Sequence, residues 1–377
     1  MGERGAAVGA ERDSREAVSE REQKVLQIIE TARAKRPRFK DETVTMAHGA
    51  GGKATQTLIE GLLVPALAKE GETLEEMGDA GVVRMDDLGI ALSTDSYVVR
   101  PIRFPGGSIG ELAVNGTAND IAMAGAKPVA LSLALILEEG LPADELRAQV
   151  EAIAEAAEAA DVQIVTGDTK VVERGHADGM YICTSGFGKI DTRAELSPRG
   201  IRPGDRIIVS GTVGDHGSAI MLARDEFSLD AEIHSDTRPL WPAVDALLDA
   251  AGSELHCMRD ATRGGVASVL NELARASGVA MSVREGDVPV NPAVAGAAEI
   301  LGIDPMYVAN EGKLVAFVAP DRAERALDAL RSVPGCEAAA EIGEVKTEPP
   351  GMVLVETAFG GRRVMDQLVG DPLPRIC

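Results

Sequence analysis

Apolar residues fall along this chain in short runs, separated by longer stretches with helical spacing. Ile90–Thr94, Val129–Leu137 and Val162–Thr166 read as strands, with Glu111–Ala124 and the alanine-rich Pro142–Ala160 as helices around them. A turn-rich run, Leu196–Asp205, interrupts the pattern with two Pro and two Gly and reads as a domain boundary. The alternation then resumes. Strands are expected at Arg206–Ser210, Val279–Val283, Lys313–Val318, Ala339–Ile342 and Met352–Val355. Helices are expected at Gly217–Ala223, Pro242–Ala251, Gly264–Ala276 and Arg322–Arg331. The fold class is therefore α/β: two α+β domains of similar size, 44–195 and 196–365, each with a sheet able to pair with a partner.

Composition sharpens this picture. At 377 residues the chain exceeds one ordinary core. It is 45% hydrophobic but only 3% aromatic, so the cores are aliphatic, and 41 glycines imply many tight turns. A net charge of -22 repels phosphate backbones and anionic membranes, which argues against nucleic-acid or membrane partners. Nucleotides remain open, because carboxylates hold phosphates through Mg²⁺. Cys183, Cys257, Cys336 and Cys377 form no metal-like pair. Without a signal peptide or transmembrane run they read as reduced thiols of a cytoplasmic protein, with Cys183 in the core. Residues 1–43 are charge-rich and read as a disordered or helical extension, or as sequence upstream of a true start at Met46.

The candidate chemistry is acidic and glycine-rich. Asp86, Asp87, Asp95, Asp120 and Asp168 lie at strand ends or in glycine-rich segments, and such carboxylates repel one another unless cations lie between them. Hard oxygen ligands select Mg²⁺ or Ca²⁺. Ala47-His48-Gly49-Ala50-Gly51-Gly52-Lys53 fails the Walker pattern but can form a glycine-rich phosphate cover, with His48, Gly51, Gly52 and Lys53 facing the nucleotide. Asp260-Ala261-Thr262-Arg263-Gly264-Gly265 opens a helix whose N–H groups suit an anion, and Glu272 follows within that helix. Glu311 stands in a turn before a strand, where partial desolvation would make it a base. Asp371-Pro372-Leu373-Pro374-Arg375-Ile376-Cys377 closes the chain with a thiol on an extended, proline-stiffened arm. Taken alone, that arm reads more simply as a frayed end that happens to carry a cysteine.

These motifs together resemble the HypE family of carbamoyl dehydratases, in the superfamily of aminoimidazole ribonucleotide synthetase, selenophosphate synthetase and thiamine-monophosphate kinase. The resemblance covers residues 44–377 and rests on Met85–Asp87, Ser93–Ser96, Asn115–Pro128, Thr166–Lys170, Asp260–Gly265, Ala309–Gly312 and Pro374–Cys377. It implies an aminoimidazole ribonucleotide synthetase-like fold with ATP and Mg²⁺. It also implies a mobile tail (366–377) carrying the catalytic Cys377. A carbamoyltransferase, HypF, would load that thiol. ATP-dependent dehydration would give a thiocyanate, and cyanide would pass to iron on the HypC–HypD scaffold. The resemblance further implies a homodimer, Mg²⁺ on Asp86, Asp87, Asp95, Asp120, Asp168 and Asp260, and nucleotide contacts from Asn119, Thr169, Lys170, Thr262 and Arg263. Glu272 and Glu311 take the proton-transfer role. A kinase or synthetase for a diffusible substrate would keep the ATP site and dispense with Cys377. A pure thiol carrier would do the reverse.

Overall fold

The computed structural model describes residues 38–67, 78–224 and 232–368. Most of the 1–43 extension and the arm to Cys377 thus lie outside the described residues. Helix α1 (Lys53–Leu58) passes through a wider turn, Ile59–Leu63, into α2 (Val64–Leu67). Then come β1 (Gly81–Met85), β2 (Leu88–Tyr97), a small ribbon of β3 (Arg103–Phe104) and β4 (Gly107–Ser108), and α3 (Ile109–Met123). Strand β5 (Ala126–Glu138), α4 (Ala143–Ala159), β6 (Gln163–Val172) and β7 (Met180–Ile190) complete the first sheet, ordered β1-β2-β7-β5-β6. Within this sheet, among the described residues, only β5 and β6 pair in parallel, and α4 makes the crossover between them.

The second half contributes β8 (Arg206–Val209), α5 (Asp215–Ala223), α6 (Trp241–Ala251), β9 (Leu255–Asp260) and α7 (Gly265–Ser277). It continues with β10 (Ala280–Arg284), α8 (Pro292–Leu301), β11 (Leu314–Val318), α9 (Ala323–Arg331), β12 (Ala340–Lys346), β13 (Val353–Glu356) and β14 (Arg362–Met365). Its sheet runs β14-β13-β10-β12-β8-β11-β9.

Helix α3 begins where Ser108 accepts the Gly110 N–H, with Glu111 in the positive first turn. It lacks a polar face because both of its sides are covered. One side lies on the first sheet, while Ala122 and Met123 share a core with Leu247 and Met258 of the second domain. Helix α4 is amphipathic, burying Gln149, Ile153, Ala156 and Ala157 and turning Asp144, Arg147, Glu151, Glu155 and Glu158 to the outside.

The opposite face of the first sheet has no helix among the described residues. Register pairs Leu88 with Met85, Ile90 with Val83 and Leu92 with Phe187, so these six apolar residues share that open face. Leu92 and Phe187, paired within the sheet, are 45% and 41% exposed, which is unusual for large apolar residues at such a position. Cys183 lies on this same face, half-buried, with its sulfur 3.1 Å from Ser96 Oγ. The expectation of a core cysteine is thereby corrected, because strand alternation turns Cys183 outward while Ile182 and Thr184 point in.

An extended strap, residues 232–240, ties the domains together. Ser235 N–H donates to Pro105 O on the first domain, and Arg238 donates to Gly312 O and Pro334 O on the second. Buried Asn119 of α3 completes the tie, accepting from Leu240 N–H and donating to Arg238 O and Glu311 O. Replacing Asn119 by Ala leaves these groups unpaired in a dry interface and should cost roughly 2–3 kcal/mol. Urea denaturation measures it, and a loss below about 0.5 kcal/mol would show that the tie contributes little.

Candidate active site between the domains

Four aspartates and a glutamate meet where the domains face each other. Asp79, just before β1, accepts from Arg259 Nη1 at 3.0 Å and from Asp260 N–H at 3.4 Å. Asp95 on β2 accepts from Thr117 Oγ1, and Asp120 on α3 accepts from Ser93 Oγ at 2.6 Å. Asp260 ends β9, buried beside Asp79 and Asp120. Glu311 approaches from the turn before β11, only 4% exposed.

Burial and mutual repulsion dominate the electrostatics. Burial raises Asp120, and Asp260, Asp95 and Asp79 add to the shift. Asp260 is raised by burial and then by Asp79, and Glu311 by burial and then by Asp260 and Asp236. Asp79 rises from 3.8 to about 6, with burial outweighing the opposing pull of Arg259. The donor set is all hard oxygen and short of positive charge, which suits a hard divalent cation. Among the described residues, however, no three such groups already converge on one point as ligands. A cation held between Asp120 and Asp260 would relieve the repulsion that raises both.

Two glycine loops close on each other beside these carboxylates. A Cβ on Gly51 would lie 2.6 Å from Arg263 Cβ, and one on Gly265 would lie 2.5 Å from Met306 O. Both glycines have positive φ, as does Gly264, so the jaws formed by 49–52 and 262–265 require glycine for two independent reasons. Gly52 caps α1 within the same loop, and half-buried Thr262 reaches Asp260 with its hydroxyl.

Other expected contacts fall elsewhere. His48 is buried against Phe39, accepts the Thr45 N–H at Nδ1 and contacts Asp41 through Nε2 at 2.9 Å. It organises its own loop rather than facing a phosphate. Lys53 pairs with Asp366 at 2.9 Å. Asn119 is consumed by backbone partners, so none of its amide is left for a nucleotide. Asp86 and Asp87 form the exposed β1–β2 turn, about 26 Å along β2 from Asp95. Register matches Asp95 across the sheet with Thr184, Leu133 and Gly167, which puts Asp168 on the opposite face of β6. There Asp168 pairs with Lys170, while Thr169 lines a shallow concavity of about 630 Å³ along β5 and β6. Within one chain, these last five residues do not join the cleft.

Glu272 sits at the cleft's edge on α7. It accepts from Arg259 Nη2 at 3.2 Å and from Gln367 Nε2 at 3.4 Å. Partial burial raises its pKa, opposed by Arg259 and then Arg275. Through Gln367 it meets the root of the C-terminal segment, which is seated at several points. Asn271 donates to Met365 O, Tyr307 OH to Asp366 O, and Lys53 N–H to Leu368 O. Reading the chain alone missed Asp79 and Asp236. Gly78-Asp79-Ala80-Gly81, an aspartate among glycines before a strand, was the available signal for the first.

Two α+β domains closing a carboxylate cleft between them define a class, and family models place the chain in it. The model of the AIR synthase related protein N-terminal domain matches residues 77–190, and that of the C-terminal domain matches 202–355. Carbamoyl dehydratase HypE of Azotobacter vinelandii is 48% identical over 339 residues, 90% of this chain and 98% of that one. The chain belongs to the HypE carbamoyl dehydratase family. A crystal structure of a HypE–HypF complex matches with a TM-score of 0.78 at 43% identity, covering 82% of this chain and 99% of its counterpart. A HypE crystal structure in complex with ATP matches at 0.74 and 44%, covering 89% and 100%.

The raised carboxyls predict a pH dependence. Between the unfolded value of 3.8 and the folded value of about 6, native Asp79 keeps a proton that the unfolded chain has released. Its contribution to stability is therefore lost as pH rises through that window, and Asp120, Asp260 and Glu311 shift in the same direction. In chelator-treated protein the thermal midpoint should fall from about pH 4 to about pH 6. A midpoint that rises over this range would contradict the repulsive cluster.

Proposed function

We propose that this chain is an ATP-dependent carbamoyl dehydratase that acts on its own terminal thiol during maturation of nickel–iron hydrogenase. The observation that carries this reading is the seating of Met365–Leu368 against α7 and Lys53, which starts the cysteine-ending segment beside the interdomain carboxylates. The nine residues after Leu368 can span at most about 30 Å, enough to bring Cys377 to the cleft. Tethering then replaces affinity for a free substrate.

Bound ATP and Mg²⁺ would supply the phosphoryl group that turns the carbamoyl oxygen into a leaving group, and the charge that neutralises it. Asp79, Asp95, Asp120 and Asp260 would hold the cation. Glu311 takes the proton from the carbamoyl nitrogen, its basicity raised by burial and by Asp260. Glu272, bound by Arg259 and Gln367, holds the cleft edge and the root of the tail rather than the proton. HypF loads the thiol, the HypC–HypD complex receives the cyanide, and the open sheet face pairs two copies. No helix among the described residues is long and apolar enough to cross a membrane, and a cytoplasmic site of action fits a carrier of a reduced thiol.

Intact mass of carbamoyl-loaded protein after addition of ATP and Mg²⁺ tests the activity, with Cys377→Ala as control. Loss of one water that requires both ATP and Cys377 is expected. ATP turnover with an unchanged tail would instead mean a diffusible substrate. Glu311→Gln should slow dehydration by about 100-fold or more with ATP affinity kept, and Glu272→Gln should cost much less. Equal losses in the two would overturn this division of roles.

Pairing through the open face predicts a dimer by sedimentation. Leu92→Asp or Phe187→Asp buries a charge at the centre of that contact and should yield monomer. Dimer retained in both variants would place the interface elsewhere.

A further inference from the structure

Glu311 sits on a turn that makes no strand or helix hydrogen bonds of its own at that position, so something must hold its carboxylate in place. The holder is Asp236, a residue of the strap between the domains. Its side chain is 5% exposed and accepts three hydrogen bonds, from Glu311 N–H at 3.0 Å, Gly312 N–H at 3.2 Å and Lys313 Nζ at 2.9 Å. The carbonyl of Asp236 packs so closely on Gly312 that a Cβ there would lie 1.8 Å from it. Arg238 Nε donates to Gly312 O, and Asn119 donates to Glu311 O. The backbone on both sides of Glu311 is therefore held by the strap and α3. Behind it, buried Lys313 lies between Asp236 and the more distant Asp215 at 3.7 Å, and the Asp215 carboxylate accepts instead from the Thr212 hydroxyl.

We propose that Asp236 is a positioning residue for the dehydration: it fixes the 311–312 backbone so that the Glu311 carboxylate enters the cleft in a productive orientation. The geometry serves catalysis as well as folding, because an anionic side chain gripping two successive amides and an ammonium leaves the turn no alternative path. The strap crosses between domains, so Asp236 also makes the position of Glu311 depend on domain closure. This inference rests on Glu311 being the proton acceptor.

In Asp236→Asn an amide N–H faces groups that are themselves donors, so the turn must shift. An error near 1 Å at a reacting group costs about 100-fold, and kcat for dehydration should fall by about 10- to 100-fold with the KM for ATP within about threefold. Asp215→Asn disturbs the same buried lysine while the grip of Asp236 on the turn stays intact, and should leave kcat unchanged. In a Glu311→Gln background, Asp236→Asn should slow turnover by no more than about twofold further, because it acts through Glu311. Hydrogen exchange on wild-type protein needs no folded variant, and the amides of Glu311 and Gly312 should be protected despite lying in a turn. Normal kcat in Asp236→Asn, an equal loss in Asp215→Asn, full additivity with Glu311→Gln, or fast exchange at both amides would each overturn the proposal. Glu311→Gln at wild-type rate would instead overturn the assignment of the base on which it rests.

Discussion

Everything at this site depends on holding repelling carboxyl groups together in one cleft. Asp79, Asp120 and Asp260 are each disfavoured as anions by burial and by their acidic neighbours, and Arg259 is the cation set against Asp79 and Asp260. Such a cluster does not form by its own attractions. The fold imposes it, from the loop before β1, the last residues of β2, the body of α3 and the end of β9. Hydrophobic burial elsewhere supplies the driving force, chiefly the shared core of α3 with α6, β9 and β11. The cleft is thus a region where folding energy is spent on a charge arrangement that a cation would relax.

Arg259 has a second consequence. One guanidinium contacts Asp79 with Nη1 and Glu272 with Nη2, and Glu272 in turn accepts from Gln367. The carboxylate cluster and the root of the C-terminal segment are therefore joined through a single planar donor. Arginine suits this place because its fork addresses two carboxylates at fixed angles, which a lysine ammonium would not do.

The architecture was legible in the chain because periodicity reports local burial. The strands at Ile90–Thr94 and Val129–Leu137 and the helices α3 and α4 lie where their patterns put them, within the usual drift at the ends. Local pattern could not place partners far apart in sequence. Asp79 and Arg259 are 180 positions apart, and Asp236 and Gly312 are 76 apart, so neither acid's partner can be read from the sequence around it. Glycine-rich stretches misled in the other direction. Gly49–Gly52 has the look of a phosphate cover, yet Gly51 is glycine because Arg263 packs on its Cα, and Lys53 answers Asp366. Asn119 looked like a ligand residue for a similar reason: a buried polar side chain in a helix needs partners, and the chain alone cannot say that they are backbone. Asp95, Asp120, Asp260 and Glu311 were legible as acids at strand ends, in a glycine-rich helix or in a turn, and the fold brings those four together.

Why the domains must meet at all follows from the same geometry. Neither half holds enough of the chemistry: the first brings Asp79, Asp95 and Asp120, the second Asp260, Glu311, Arg259 and Glu272. The elements that fix their relative position are polar and directional rather than greasy. Asn119, Arg238 and Asp236 each bond backbone groups on a specific partner, and a slip of one residue would leave several buried donors and acceptors unpaired. An apolar interface of the same area would tolerate sliding. A polar tie tolerates very little, which suits the role proposed for Glu311.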